Sequence, residues 1–362
     1  MKKIFLTILS LTLLASCGSD HKSRQKDLNK IWEKSFTEEF NQTKAIEILV
    51  ATNRLSSDTE FGCSDKNFGI ELTNKLSFGK CKVNVPKYHN TGTIELGDSR
   101  QSSNDYFKVL SSENLDEKAL IQRLKNSNLP VLIFVHGFNV KYNEAILRAS
   151  GIAYDLKYQG PILLFSWPSG AKDGFFEERF LNKTYSKNLA SARASIDLFK
   201  DFLVKLKNNG IEVNLVVHSM GHQVVLPALA KINADDPNEI YVNNLILNAP
   251  DFEVATFKNL TKNIKEISNN TTLYCSYNDK AIAASESLNE NERLGACTYS
   301  EDFDTINVSK IDDPTLGLGH SYYSSRAVLT DVFQNLLGIP ANQRLFIIKS
   351  EPNSTEKYFL RN

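Results

Sequence analysis

A serine two residues ahead of a glycine, at the end of an apolar run, is the feature of this sequence most able to do chemistry. In Val213-Asn214-Leu215-Val216-Val217-His218-Ser219-Met220-Gly221 the run has the length of a strand and stops at Ser219. A helix-like Val224-Val225-Leu226 follows. Strand, sharp turn and helix in that order raise a hydroxyl above a sheet edge, beside a helix N-terminus that favours developing negative charge. The expected chemistry is nucleophilic attack by Ser219. The full pattern is Gly-x-Ser-x-Gly, and here Val217 stands where a small residue would relieve crowding, so the turn geometry is in question.

A serine hydroxyl is a poor nucleophile without a base, and an imidazole base needs an orienting carboxylate. Sites built on this turn run serine, acid, histidine along the chain. Of the six histidines, His21 lies in a polar leader, and His89, His136 and His218 precede the serine. His222 follows it by one helical turn, ahead of both acid candidates. His320 remains, in Gly317-Leu318-Gly319-His320-Ser321. The acid is Asp279, just past the Thr272–Ser276 run, with Asp251 of Asn248-Ala249-Pro250-Asp251 as the alternative. Backbone N–H groups of Phe138 and Met220 are the oxyanion donors, because one comes from the loop after an earlier strand and one from the residue after the nucleophile. Gly137 lets that loop approach a carbonyl closely. His136 reads as a packed loop imidazole bonded to backbone.

The elements that must hold these groups alternate regularly. Pro130–Val135 and Ile162–Phe165 are apolar without polar alternation, as expected of strands covered on both faces. Ala45–Ala51, Lys82–Val85, Leu245–Leu247 and Thr272–Cys275 are further strands, and Tyr106–Leu110 is an edge strand. Leu55–Phe78 reads as loop. Ala145, Ala149, Ile152 and Leu156 mark one helix face. Leu189, Ala192, Ile196, Phe199, Leu203 and Leu206 mark a longer helix. A polar helix near Leu115–Leu124 and a last one over Tyr323–Leu337 complete the set, and Pro227 should kink the helix after the serine. The fold class is therefore α/β, a mainly parallel central sheet with helices on both faces, with ligands at the carboxyl ends of the strands.

Composition frames the reading. The 362 residues are 41% apolar and 23% charged, with 42 basic against 42 acidic residues. That suits a globular chain with no field to attract nucleic acid. Lys2 and Lys3, the apolar run Ile4–Leu14 and Leu14-Ala15-Ser16-Cys17 form a lipoprotein signal. Residues 1–16 are then a signal peptide, 17–43 a tether lipidated at Cys17, and 44–362 one domain with its core at 129–337. Gly18 and Ser19 carry no retention aspartate, which points to the outer rather than the inner membrane of a bacterial envelope. Export favours disulfides, and Cys63 with Cys81 and Cys275 with Cys297 are the local pairings among three possible connectivities. The cysteines offer no Cys-x-x-Cys pair, and neither a structural zinc nor a cofactor is expected.

Several short motifs, in order, resemble one family. They are Ala51-Thr52-Asn53-Arg54, Gly79 to His89 with Pro86, Val135-His136-Gly137-Phe138-Asn139, Ser166-Trp167-Pro168-Ser169, His218-Ser219-Met220-Gly221, Ala249-Pro250-Asp251, Tyr277-Asn278-Asp279 and Gly319-His320-Ser321-Tyr322. Together, from about residue 45 to 337, they resemble the bacterial alpha/beta hydrolases of the domain of unknown function 900 group. The resemblance implies an esterase- or lipase-like enzyme with Ser219, Asp279 and His320 as the triad. The expected partners are a small-molecule or lipid ester and, through Cys17, a membrane. Amide or peptide substrates suit the same triad, and a non-catalytic lipoprotein keeping the fold for binding is the alternative function. Phe175, Phe176 and Phe180 are read either as an acyl-binding cap or as ordinary packing. Oligomeric state is not legible.

Overall fold

The computed structural model describes residues 45–361 apart from 59, 87, 88, 98–104, 172–177, 299–302 and 312–317. Cys17, the tether, Phe175, Phe176 and the side chain of Phe180 lie outside the described residues. In chain order the elements are β1 (Ala45–Ser56), β2 (Phe68–Asn84), β3 (Lys108–Leu115), α1 (Glu117–Lys125), β4 (Val131–Val135), α2 (Tyr142–Asp155) and β5 (Ile162–Ser166). Next come α3 (Glu178–Ala194), α4 (Ile196–Asn208), β6 (Val213–His218), α5 (His222–Asp235), β7 (Val242–Asn248), α6 (Val254–Ile267) and β8 (Ser268–Cys275). The chain closes with α7 (Lys280–Asn289), β9 (Asp304–Asn307), α8 (Arg326–Leu336), β10 (Ile347–Lys349) and β11 (Tyr358–Leu360).

One sheet runs β10-β11-β9-β8-β7-β6-β4-β5-β1-β2-β3. From β11 to β1 every neighbouring pair is parallel, and antiparallel pairs occur at the two ends. The central strands are apolar at successive positions because both faces are covered. Val131, Ile133 and Val135 of β4 enter the core beneath α4, α5 and α6, while Leu132 and Phe134 enter the core beneath α2 and α8. The α/β class and the mainly parallel sheet are thus as the sequence predicts.

The departures lie where burial is one-sided. Leu55–Phe78 was expected to be loop, yet β2 begins at Phe68 and pairs antiparallel with β1 as far as Ser56. After the buried Phe68 its first half mixes exposed and half-buried residues, so no apolar run marks it. β3 extends to Leu115 for the same reason, being an edge strand exposed along most of its length. The long helix expected from Leu189 to Leu206 is two, broken at Ser195. There the Ser195 hydroxyl bonds back to Ser191 O at 2.8 Å and accepts Asn53 Nδ2 at 2.8 Å. The last helix starts at Arg326, capped by Ser325, with Tyr322–Ser324 forming a separate 3-10 turn. α5 runs through Pro227, which can donate no ladder bond.

Both local disulfides are present, Cys63–Cys81 and Cys275–Cys297. The second leaves the end of β8, four residues before Asp279, and ties it to a segment where Ser276 N bonds Gly295 O at 3.0 Å.

Near the amino end of the same core, His89 bridges two carboxylates, Glu95 Oε2 at 2.9 Å and Asp155 Oδ1 at 2.8 Å. Burial alone would lower its pKa. The hydrogen bonds and charges of Asp155 and Glu95 outweigh burial and hold it raised. A raised folded-state value stabilises the fold below the unfolded imidazole's pKa, and that contribution fades as pH rises through the folded value. Melting of wild type and His89→Gln across pH should therefore show a gap at mildly acidic pH that narrows with alkalinity. A gap that widens with pH contradicts the assignment.

Candidate active site

Ser219 follows β6 in a backbone conformation that few side chains adopt, with φ of 52°. What lets the chain turn so sharply is the glycine on each side of the crossing. A Cβ at Gly221 would lie 2.7 Å from His136 O, and one at Gly137 would lie 2.7 Å from Ser219 Cβ. Val217 does not prevent this geometry. It lies in the ladder between Val135 and Leu247, fully buried, and the close contacts fall at the two glycines instead. His222 Nδ1–H donates to Ser219 O at 2.6 Å and braces the turn from the helix side.

Asp279 follows β8 and caps α7, where Oδ1 accepts from Ala281 N and Ile282 N, each at 3.0 Å. Its other oxygen accepts His320 Nδ1–H at 2.7 Å. The carboxylate is sealed from solvent while the imidazole keeps 19% of its surface, so the pair has one protected and one reachable end. Leu318 O accepts Lys280 N at 2.9 Å, which pins the His320 loop to the same helix start.

His218, to which the sequence assigned no role, contacts the His320 loop. The His218 ring lies 4.7 Å from that of His320 and is stacked on Tyr323 at 3.9 Å, and its Nε2–H donates to His320 O at 3.3 Å. The residue next to the serine thus holds the histidine loop. Its place at the end of a buried strand, next to the candidate nucleophile, was the available signal. Ser219 and His320 therefore share a neighbour, although no Ser219 Oγ hydrogen bond to His320 is formed among the described residues.

The other histidines near the serine are poor bases. Burial, then the neighbouring His320 charge, drives His218 well below the usual imidazole range. Burial takes His222 down to about 3, and His136 likewise to about 3 with Arg54 adding to the effect. All three stay neutral at physiological pH. His136 is stacked on Trp167 and bonded to Gly137 O and Ser166 Oγ, the packed loop imidazole expected of it. His218 and His222 have the four-residue spacing of a metal pair on a helix, but each is bonded to a different backbone carbonyl.

Asp251 lies one residue's contact from the serine, with its N–H 3.4 Å from Ser219 O, yet its carboxylate is occupied elsewhere. Oδ2 accepts Tyr185 OH at 2.9 Å, Oδ1 accepts Ser285 Oγ at 2.5 Å, and Arg293 Nε stands 3.3 Å from Oδ1. Burial, then the Asp251 charge, pushes Tyr185 up to about 12, so it stays a donor. The histidine is thus paired with Asp279, while Asp251 ties α3 and α7 to the segment after β7. Of the two expected oxyanion donors, Met220 follows Ser219 within the turn and is fully buried, and Phe138 is packed on the Tyr185 ring at 5.7 Å.

A family model described as an alpha/beta hydrolase of unknown function (DUF900) matches residues 112–339. Among solved structures, the chain is similar to a cold-adapted esterase from an Arctic intertidal metagenomic library, in a PEG-bound complex. That match has 10% identity, covers 83% of this chain and 97% of the other, and has a TM-score of 0.37. A second is phospholipase PlaB from Legionella pneumophila, with 16% identity, 55% of this chain, 43% of that one and a TM-score of 0.23. No curated protein matches.

Proposed function

The chain belongs to the alpha/beta hydrolases of unknown function (DUF900), and from that premise we propose that it is a serine hydrolase of ester bonds working through Ser219, His320 and Asp279. The observation that carries this reading is the Asp279 carboxylate, which caps α7 with one oxygen and holds His320 Nδ1 with the other. With Nδ1 protonated and bonded to the carboxylate, Nε2 carries the free lone pair. It removes the Ser219 proton as Oγ attacks the ester carbonyl. The oxyanion is held by the Phe138 and Met220 amides. His320 then protonates the departing alcohol; water that the same imidazole deprotonates attacks the acyl carbonyl, and the imidazolium returns that proton to Ser219 Oγ as the carboxylic acid leaves. Asp279 keeps the tautomer and stabilises the imidazolium, and every proton moved begins and ends on groups named here.

The substrate is an ester, small or lipid, and the enzyme is exported and tethered to the envelope through acylated Cys17. One experiment tests activity and anchor together. Chromogenic acyl esters of increasing chain length are assayed in membrane and soluble fractions of cells expressing wild type or Cys17→Ala. Turnover should partition with membranes for wild type and with the soluble fraction for the variant. No turnover above vector controls in either fraction contradicts the hydrolase reading, and equal partitioning contradicts the anchor.

A further inference from the structure

The loop that carries the Phe138 amide is held from behind by side chains that do not touch the reacting atoms. Arg54, at the end of β1, is fully buried. Its guanidinium donates to Ser166 Oγ at 2.9 Å, Ser169 O at 2.9 Å, Gly69 O at 2.8 Å and Val140 O at 3.0 Å. Among the described residues no carboxylate lies within ion-pair distance of it. Burial pulls its pKa down to about 10, which leaves it charged at neutral pH. A buried cation satisfied by fixed backbone oxygens is costly to rearrange, because moving any one loop strands a donor of a charged group.

The same loop is gripped on its other side. Val140 N donates to Ser169 Oγ at 3.2 Å. That hydroxyl lies 3.1 Å from Gly137 O and 2.8 Å from Asn188 Oδ1 and, having one proton, serves one of them at a time. Asn188 Oδ1 also accepts Asn139 N at 3.2 Å and Gly170 N at 2.9 Å, and Nδ2 donates to Gly170 O at 3.0 Å. Asn139 is itself left-handed, with φ of 55°. The backbone on both sides of Phe138 is therefore tied at Gly137, Asn139 and Val140. Because Gly137 closes on Ser219, a shift of this loop is felt at the nucleophile.

We propose that Arg54, Ser169 and Asn188 are positioning residues that preset the Phe138 amide toward the oxyanion, a role resting on the hydrolase reading above. An amide already aimed needs no reorganisation as charge develops, so the network acts on the transition state more than on substrate binding.

The test uses full-length protein with Ser169→Ala and Arg54→Lys, the latter keeping the charge and losing the fork. Steady-state ester hydrolysis is measured together with inhibition by an alkyl trifluoromethyl ketone, which forms an anionic tetrahedral adduct with a serine, and with thermal melting. Each folded variant should lose about 10- to 100-fold in kcat and a similar factor in ketone affinity, with KM changed by no more than about twofold. A purely structural role predicts lower melting temperature with kcat and ketone affinity intact in the folded fraction, and that result overturns the proposal. So does a rise in KM at unchanged kcat. Should Arg54→Lys fail to fold, Ser169→Ala, which deletes one hydroxyl, decides. Absence of turnover and of ketone binding in wild type instead contradicts the hydrolase reading.

Discussion

Ser219→Ala should lower kcat by about a million-fold, the scale expected when the nucleophile of a triad is removed, while the protein still melts cooperatively. The residue sits at φ of 52°, a region in which a side chain costs about 1–2 kcal/mol. Alanine keeps that cost because it keeps the Cβ. Ser219→Gly should be equally inactive but more stable by up to about 1 kcal/mol, since glycine adopts this conformation without penalty and gives back part of the gain in unfolded-state entropy. Kinetics and thermal melting on the same preparations check both halves. Turnover retained in Ser219→Ala removes the nucleophile assignment. Loss of stability in Ser219→Gly means that the turn is not strained.

The second large effect separates the two aspartates. Asp279→Asn should reduce kcat by about four orders of magnitude with little loss of stability. Asparagine still caps a helix well but cannot hold the imidazole in the required tautomer. Asp251→Asn should do the reverse. Its carboxylate faces Arg293 with both side chains only 4% exposed, in an ion pair without hydrogen-bond geometry at Arg293 Nε. Neutralising one partner leaves a buried charge uncompensated, at a cost of about 3–5 kcal/mol. Activity of the folded fraction should fall far less than in Asp279→Asn. The opposite ranking of rates would make Asp251 the acid.

The strands that build the site were legible because both their faces are covered. β4 and β5 are nearly continuous apolar runs, and β6, β7 and β8 carry shorter ones at Leu215–Val217, Leu245–Leu247 and Leu273–Cys275. The first half of β2, most of β3 and the short β9, β10 and β11 carry no such signal, since they are exposed, at an edge or only three or four residues long. Chain order alone singled out His320, and the structure adds a separate physical ground, the burial that keeps His136, His218 and His222 neutral.

What stayed hidden depends on distant or anonymous partners. Asp251 meets Tyr185, Ser285 and Arg293 from three separate segments, and no local spacing reveals such a group. Arg54 stood out within a motif, but its partners are mostly backbone oxygens, which leave no residue type to read. Val217 seemed a flaw in the turn because the pattern names only positions along one strand. The space is made at Gly137, which belongs to a different loop.

The most direct measurement is peptide mapping by mass spectrometry after incubating the folded, purified protein with a fluorophosphonate, whose phosphorus is attacked by an activated serine with loss of fluoride. The adduct should fall on Ser219, form far more slowly in Asp279→Asn and be absent from Ser219→Ala. No adduct on the folded wild type, or equal labelling of Ser219→Ala, would contradict a nucleophile at this turn.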